Sequence, residues 1–441
     1  MIKKWYYIPA LIFLLLTLIS GVWLRLQWGW PQWMTFRTDF LTHGHSHVAL
    51  LGWVFLGMMG LVFEAGAHRP QLPQRMIAGL GGLVTLLTLI LFASFTLGGY
   101  TPLSIILSTI HMVFGYALAW IFFRFARDDR NIGSRYFIEG AVFWMVMATA
   151  GPWLLAVGRG LPPFWMDAAV HYYLHVLFNG WFLFALAGLS WRYLVNRQYY
   201  RTVWPFWLMM IGLIPSLIPQ LPLSEPSYLI VWTGISGTIL FAAGGLAVII
   251  YTAGSLLRVR GKRDLDRWIY IPAASASRNH RWICKELLWA GLTAAVPVLL
   301  LPIVMSWPAL REILTRSEFL VIGFIHLHLL VVVSTLLLFG IVQRLYGARI
   351  PIAGEKFRIP ARIPGILRAG SITYLLGSVS MAAILILTGV MQITGTIPPY
   401  PVQKTLFYSG IVTLSGSVLI IFAIVRVYVK RRRGSRNSNR L

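Results

Sequence analysis

The sequence is poor in charge, and poorest in acid. Only 12% of its 441 residues are charged, and 13 Asp and Glu stand against 38 Lys and Arg. With 58% hydrophobic residues and a mean hydropathy of +0.72, this scarcity excludes an ordinary soluble domain and predicts a polytopic membrane protein. There is one cysteine, Cys284, which excludes an internal disulfide, a Cys-x-x-Cys-His attachment site and iron–sulfur ligation. No clear small-residue cleavage site follows the first apolar run, so that run reads as a spanning helix rather than a removable signal. The net charge of +25 reads as topology signals and contacts for anionic membrane lipid, with no nucleic-acid partner expected.

What is present is apolar sequence long enough to span a bilayer, about twelve times over. The expected spans are 5–27, 43–66, 76–99, 102–125, 136–158, 165–193, 203–220, 228–252, 283–306, 318–345, 371–394 and 405–429. The seventh is the weakest, with Pro205, Pro215 and Pro219, and is expected to be broken. The fold class is therefore an all-α polytopic membrane protein, one transmembrane domain over 1–429 with a basic, disordered tail over 430–441. If the N-terminus is cytoplasmic, 32 of the 38 basic residues fall on the cytoplasmic side. The other six are Arg25, Arg37, Arg159, Arg311, Arg316 and Lys404. That bias predicts both termini inside, in a multi-pass protein of a bacterial-type cytoplasmic (inner) membrane.

Eight of the ten histidines lie in expected spans two, four, six and ten: His43, His45, His47, His111, His171, His175, His326 and His328. With the N-terminus inside, all eight fall in the outer half of the membrane. Imidazole at membrane depth needs a partner, and it is the commonest side-chain metal ligand. One or two such rings read as hydrogen-bonding glue between helices. Four clusters agreeing in depth point to metal or haem ligation. His171, His175 and Asn179 form a polar stripe on one helix face, with a spacing that lets two imidazoles reach one metal ion. His326-Leu-His328 sends its rings to nearly opposite faces, so they serve two sites at one depth. The remaining two, His68 and His280, fall in cytoplasmic loops.

Twelve helices, histidines in the outer half, a histidine cluster opening the second and His-x-His in the tenth resemble the catalytic subunit (subunit I) of the haem–copper oxidase superfamily. That group holds cytochrome oxidases and nitric-oxide reductases. The stretch Gly323-Phe-Ile-His-Leu-His-Leu-Leu330 is similar to the branch with bacterial nitric-oxide reductases and their close oxidase relatives. The resemblance implies that His326 binds a high-spin haem and His328 a low-spin haem, whose second axial ligand is His45 or His47. It also implies a copper ligand at His171 or His175. The family takes two more copper ligands, a histidine pair, from its seventh helix, but 203–220 holds no histidine. His111 is the substitute the sequence offers. Membrane glutamates of the reductase kind are missing too, since Glu64, Glu139 and Glu286 lie at cytoplasmic helix ends.

The expected function is a haem-binding redox protein with two b-type haems and an incomplete copper or iron site, reducing oxygen or nitric oxide. Its electron donor would be quinol, a soluble cytochrome or a partner subunit. The alternative is a non-enzymatic protein for haem or metal handling, nitric-oxide tolerance or transport that uses the same histidines.

Overall fold

The computed structural model describes residues 3–66, 73–125, 131–158, 160–223, 226–258, 280–347, 362–398 and 401–438. Within them the regular structure is all helix. Among the described residues eleven helices are long and apolar enough to cross a membrane, so the chain is a multi-pass membrane protein. They are α1 (Trp5–Gly29), α2 (Thr38–Ala65), α3 (Gln74–Gly98), α4 (Pro102–Phe125), α5 (Ile132–Val157) and α6 (Pro163–Tyr193), then α8 (Tyr228–Arg258), α9 (Lys285–Met305), α10 (Glu318–Leu345), α11 (Gly365–Ile393) and α12 (Val402–Val427). Between α6 and α8 lies α7 (Trp204–Leu213), a short apolar helix that gives way to a 3₁₀ stretch, Pro215–Gln220. This is the expected broken span: Pro215 and Pro219 supply no backbone N–H, so an α-helical ladder cannot continue through them.

The helix of α12 runs on to Ser438, through residues the composition assigned to a disordered tail. Most basic residues between α8 and α9 and between α10 and α11, and His68, lie outside the described residues; His280 opens the helix that becomes α9.

The bundle has a centre. In the most apolar stretch of α2, 83% of residues are buried, with 78% in α6 and 56% in α10, while no other spanning helix exceeds 50%. These three meet one another: Trp53 of α2 donates its indole N–H to Ser334 of α10 at 2.8 Å, and Phe178 of α6 packs edge-on against His328 of α10. The other helices wrap them, with α12 returning to α1. At the far end from the histidines the central helices are tied by charge. Tyr7 donates to Glu64 at 2.5 Å, Arg344 stands 4.0 Å from the same carboxylate, and its guanidinium lies 4.0 Å over the Tyr193 ring. The other two helix-end glutamates are also paired, Glu139 with Arg135 and Glu286 with Arg368. Carboxylates in a low-dielectric bundle require such partners.

Candidate functional site: the histidine layer of the three central helices

Each central helix departs from α-helical geometry directly behind its histidines. A π-helical segment, Val48–Val54, begins after His47 in α2. Another, Val176–Leu183, begins after His175 in α6. A third, Leu327–Val333, begins after His326 in α10 and contains His328. One more π turn, Lys3–Tyr7, opens α1 away from the histidines. Segments of i→i+5 bonding are rare and occur most often at functional sites. Inside two of the central ones a carbonyl takes a side-chain donor: Leu51 O from His111 at 3.3 Å, and Leu330 O from Tyr374 at 2.9 Å.

The segments of α2 and α6 share a pattern, His-Val-x-x-x-Gly-Trp, at His47–Trp53 and at His175–Trp181. The repeat is visible in the letters themselves. Its glycine has the same task in both copies. A Cβ at Gly52 would strike the Phe13 ring of α1, and one at Gly180 would strike Trp144 of α5. Each central helix thus presses on its outer neighbour one turn beyond its histidine.

The tautomers of four rings follow from their partners, because a carbonyl oxygen only accepts. His45 Nδ1 faces Thr17 O at 3.0 Å, and Ser20 Oγ at 3.1 Å. His47 Nδ1 faces His43 O at 2.8 Å, His326 Nδ1 faces Ile322 O at 2.8 Å, and His171 Nδ1 faces Asp167 O at 2.8 Å. Each Nδ1 therefore carries the proton and each Nε2 carries the lone pair. This is the orientation that metal- and haem-ligating histidines adopt, with the distal N–H held by a backbone carbonyl.

The four do not share surroundings. His171 is exposed at the rim of α6. His47 stacks on Phe95 at 3.9 Å, and His43 meets the edge of Tyr100 at 4.7 Å, so both sit in an aromatic nest between α2 and α3. His45 and His326 are both partly exposed, and His45 is tied to α1 through Thr17 and Ser20. His328 is buried and faces α6, framed by Phe178 and Phe324 with ring centroids at 5.7 and 6.3 Å. Its Nε2 is buried with no hydrogen-bond partner.

A haem fits these residues. Two imidazoles have a protonated Nδ1 and a free Nε2, and a third ring holds an orphaned nitrogen beside two phenylalanine rings. Such an orphan is costly unless something binds it.

A second metal does not fit. His175 Nε2 faces Leu213 O at 2.9 Å and must donate, while Ser216 Oγ stands 3.2 Å from the same nitrogen. Its Nδ1 accepts from Gln220 at 2.7 Å and lies 3.3 Å from the Asn179 amide nitrogen. Both ring nitrogens are occupied by hydrogen bonds. His171 is turned out to the rim, and the His111 ring is committed to Leu51 O and the Phe55 edge at 5.0 Å. The three expected ligands are not brought together, and among the described residues no group of three metal-ligating side chains forms. The partners the sequence reading missed are Ser216 and Gln220, which reach His175 from the broken seventh helix. The signal was their i, i+4 spacing behind Pro215. No family model matches the chain, and no curated protein matches it.

Proposed function

We propose that the chain is a haem-binding membrane protein of the haem–copper oxidase type, with His45 and His326 as the axial pair of a b-type haem and His328 as the single ligand of a second. The observation that supports this best is that His45 and His326 each have an Nδ1 proton fixed by a backbone carbonyl and a free Nε2. In that role Thr17 and Ile322 orient the rings through their carbonyls. Phe178 and Phe324 keep water and competing donors from His328. When bound, a haem with an open axial position supplies one-electron chemistry and a place for a diatomic ligand. We read the protein as twelve crossings with both termini cytoplasmic in a bacterial inner membrane, its electrons coming from quinol, a soluble cytochrome or a partner subunit. The test is a pyridine haemochrome assay on purified protein. A b-type spectrum with at least one haem per chain is expected, and a colourless preparation from haem-replete cells removes the reading.

The occupied ring of His175 favours a second reading within the same site: a haem protein that carries electrons or binds a diatomic ligand without copper-dependent reduction. Elemental analysis then finds less than one equivalent of copper or non-haem iron per chain. Replacing Ser216 and Gln220 together by histidine should raise copper retention, since the two side chains already face His175. A full equivalent of copper in the wild type, unaffected by His175→Ala, would show a metal site built elsewhere.

The orientation has its own test. Reporter fusions at Pro398 and after Arg433 should read periplasmic and cytoplasmic respectively. The opposite pattern would put the histidine layer near the inner face.

A further inference from the structure

Two histidines of α2 have no part in the haem reading. His43 and His47 stand one helical turn apart on one face, a spacing that brings two imidazoles to one metal ion. Their rings share a neighbour: the Tyr100 ring centroid lies 4.7 Å from that of His43 and 5.9 Å from that of His47. His47 donates from Nδ1 to His43 O at 2.8 Å, which turns its ring back along the helix toward His43 and leaves the Nε2 lone pair unused. Phe95 stacks on His47 at 3.9 Å and 22° from parallel, so it covers a face of the imidazole. A face contact spares the lone pair, which lies in the ring plane. Neither nitrogen of His43 has a hydrogen-bond partner among the described residues, and both rings are only half-buried.

The same spacing recurs in α6, where His171 and His175 precede the second Val-x-x-x-Gly-Trp. The two copies differ in what closes on the inner histidine. In α6, Gln220 holds one ring nitrogen of His175, and Leu213 O and Ser216 hold the other, so that pair is spent. In α2 no side chain reaches His47 Nε2 among the described residues. The place is also open from outside the bundle. Thr42, beside His43, is exposed, and Tyr100 is 62% exposed. An ion can arrive there without crossing the packed helices.

We propose that His43 and His47 form a labile site for a divalent first-row transition ion, zinc or copper, held by one nitrogen of each imidazole with water at the remaining positions. Phe95 and Tyr100 hold the two rings on their helix face, and the backbone carbonyl of His43 sets the tautomer of His47. The site is separate from the haem ligands and does not depend on the haem reading. With water in its coordination sphere it exchanges its ion and is emptied by a chelator.

The test uses the purified full chain, washed with a chelator and titrated with Cu(II), whose electron paramagnetic resonance counts the nitrogens bound. Wild-type protein should take up about one equivalent, with coupling to a pair of imidazole nitrogens, and zinc should displace it. His43→Ala and His47→Phe should each weaken uptake by about tenfold or more and leave coupling to a single nitrogen. The phenylalanine keeps a ring on Phe95, so its effect is not one of lost packing. His171→Ala removes the exposed ring of the α6 copy and should change nothing. Size-exclusion profiles should match the wild type in all three variants. Wild-type protein that binds no Cu(II) at equimolar ion overturns the proposal. So does a paired-nitrogen signal that survives both α2 variants, or one that is lost in His171→Ala.

Discussion

Replacing either His45 or His326 by alanine should remove the same six-coordinate reduced haem signal, and His328→Ala should leave that signal in place. This pattern follows from the proposed pairing. His45 and His326 both have their Nε2 lone pairs unused, whereas His328 faces Phe178 of α6. Loss of one axial imidazole leaves the remaining ring a five-coordinate iron, so the narrow α-band should disappear rather than weaken. His47→Ala should keep the band, because its ring is stacked on Phe95 of α3. Spectra of the four purified variants decide between this pairing and the one the family resemblance implied. Loss of the band in His328→Ala but not in His326→Ala would restore the family pairing.

The second large effect lies where α11 packs on α12. A Cβ at Gly416 of α12 would collide with the backbone of Tyr374 in α11, and a Cβ at Gly377 would collide with Thr413. Each glycine lies against backbone, which cannot move aside as a side-chain tip can. Association of spanning helices depends on close packing through small residues, since lipid offers apolar side chains no less than a neighbouring helix does. Gly416→Leu should therefore cost about 3 kcal/mol or more and prevent stable accumulation. Gly254, where an added Cβ meets nothing within 4 Å, is the control, and Gly254→Ala should accumulate normally. Fluorescence-detected size exclusion of detergent extracts measures both. A monodisperse Gly416→Leu peak at the wild-type level would contradict the packing described here.

Much of the fold was legible because lipid imposes a simple rule: spans must be long and apolar. The expected boundaries fall within several residues of the helices, and Pro215 with Pro219 announced the break in the seventh. The histidine layer was also legible, because a polar ring in an apolar run stands out whatever its role. Rotation was not legible. His326 and His328 differ only in which face they leave, and that is set by packing against α2 and α6. His171 and His175 share a helix face, but one lies at the rim and the other under the 3₁₀ stretch of the seventh helix. Arg25 looked like one more topology charge, because a sequence does not say which outside arginine is buried. The π segments were hidden for a different reason. In a run as nearly uniform in its apolar residues as Val48–Val54, a change of helical period moves no polar side chain and leaves no trace in the pattern.

Those segments are where the central helices can change length. A π turn accommodates one more residue than the α-helical ladder would hold. Removing one residue from Val48–Val54 would let α2 relax to a plain helix, and the stretches on either side would keep their facing, His45 and His47 before it and Glu64 with Tyr7 and Arg344 beyond it. What would go is the widened turn itself, whose Leu51 carbonyl accepts from His111. A residue taken from the plain helix on either side has no such slack: everything beyond it would turn by about 100° and draw back about 1.5 Å.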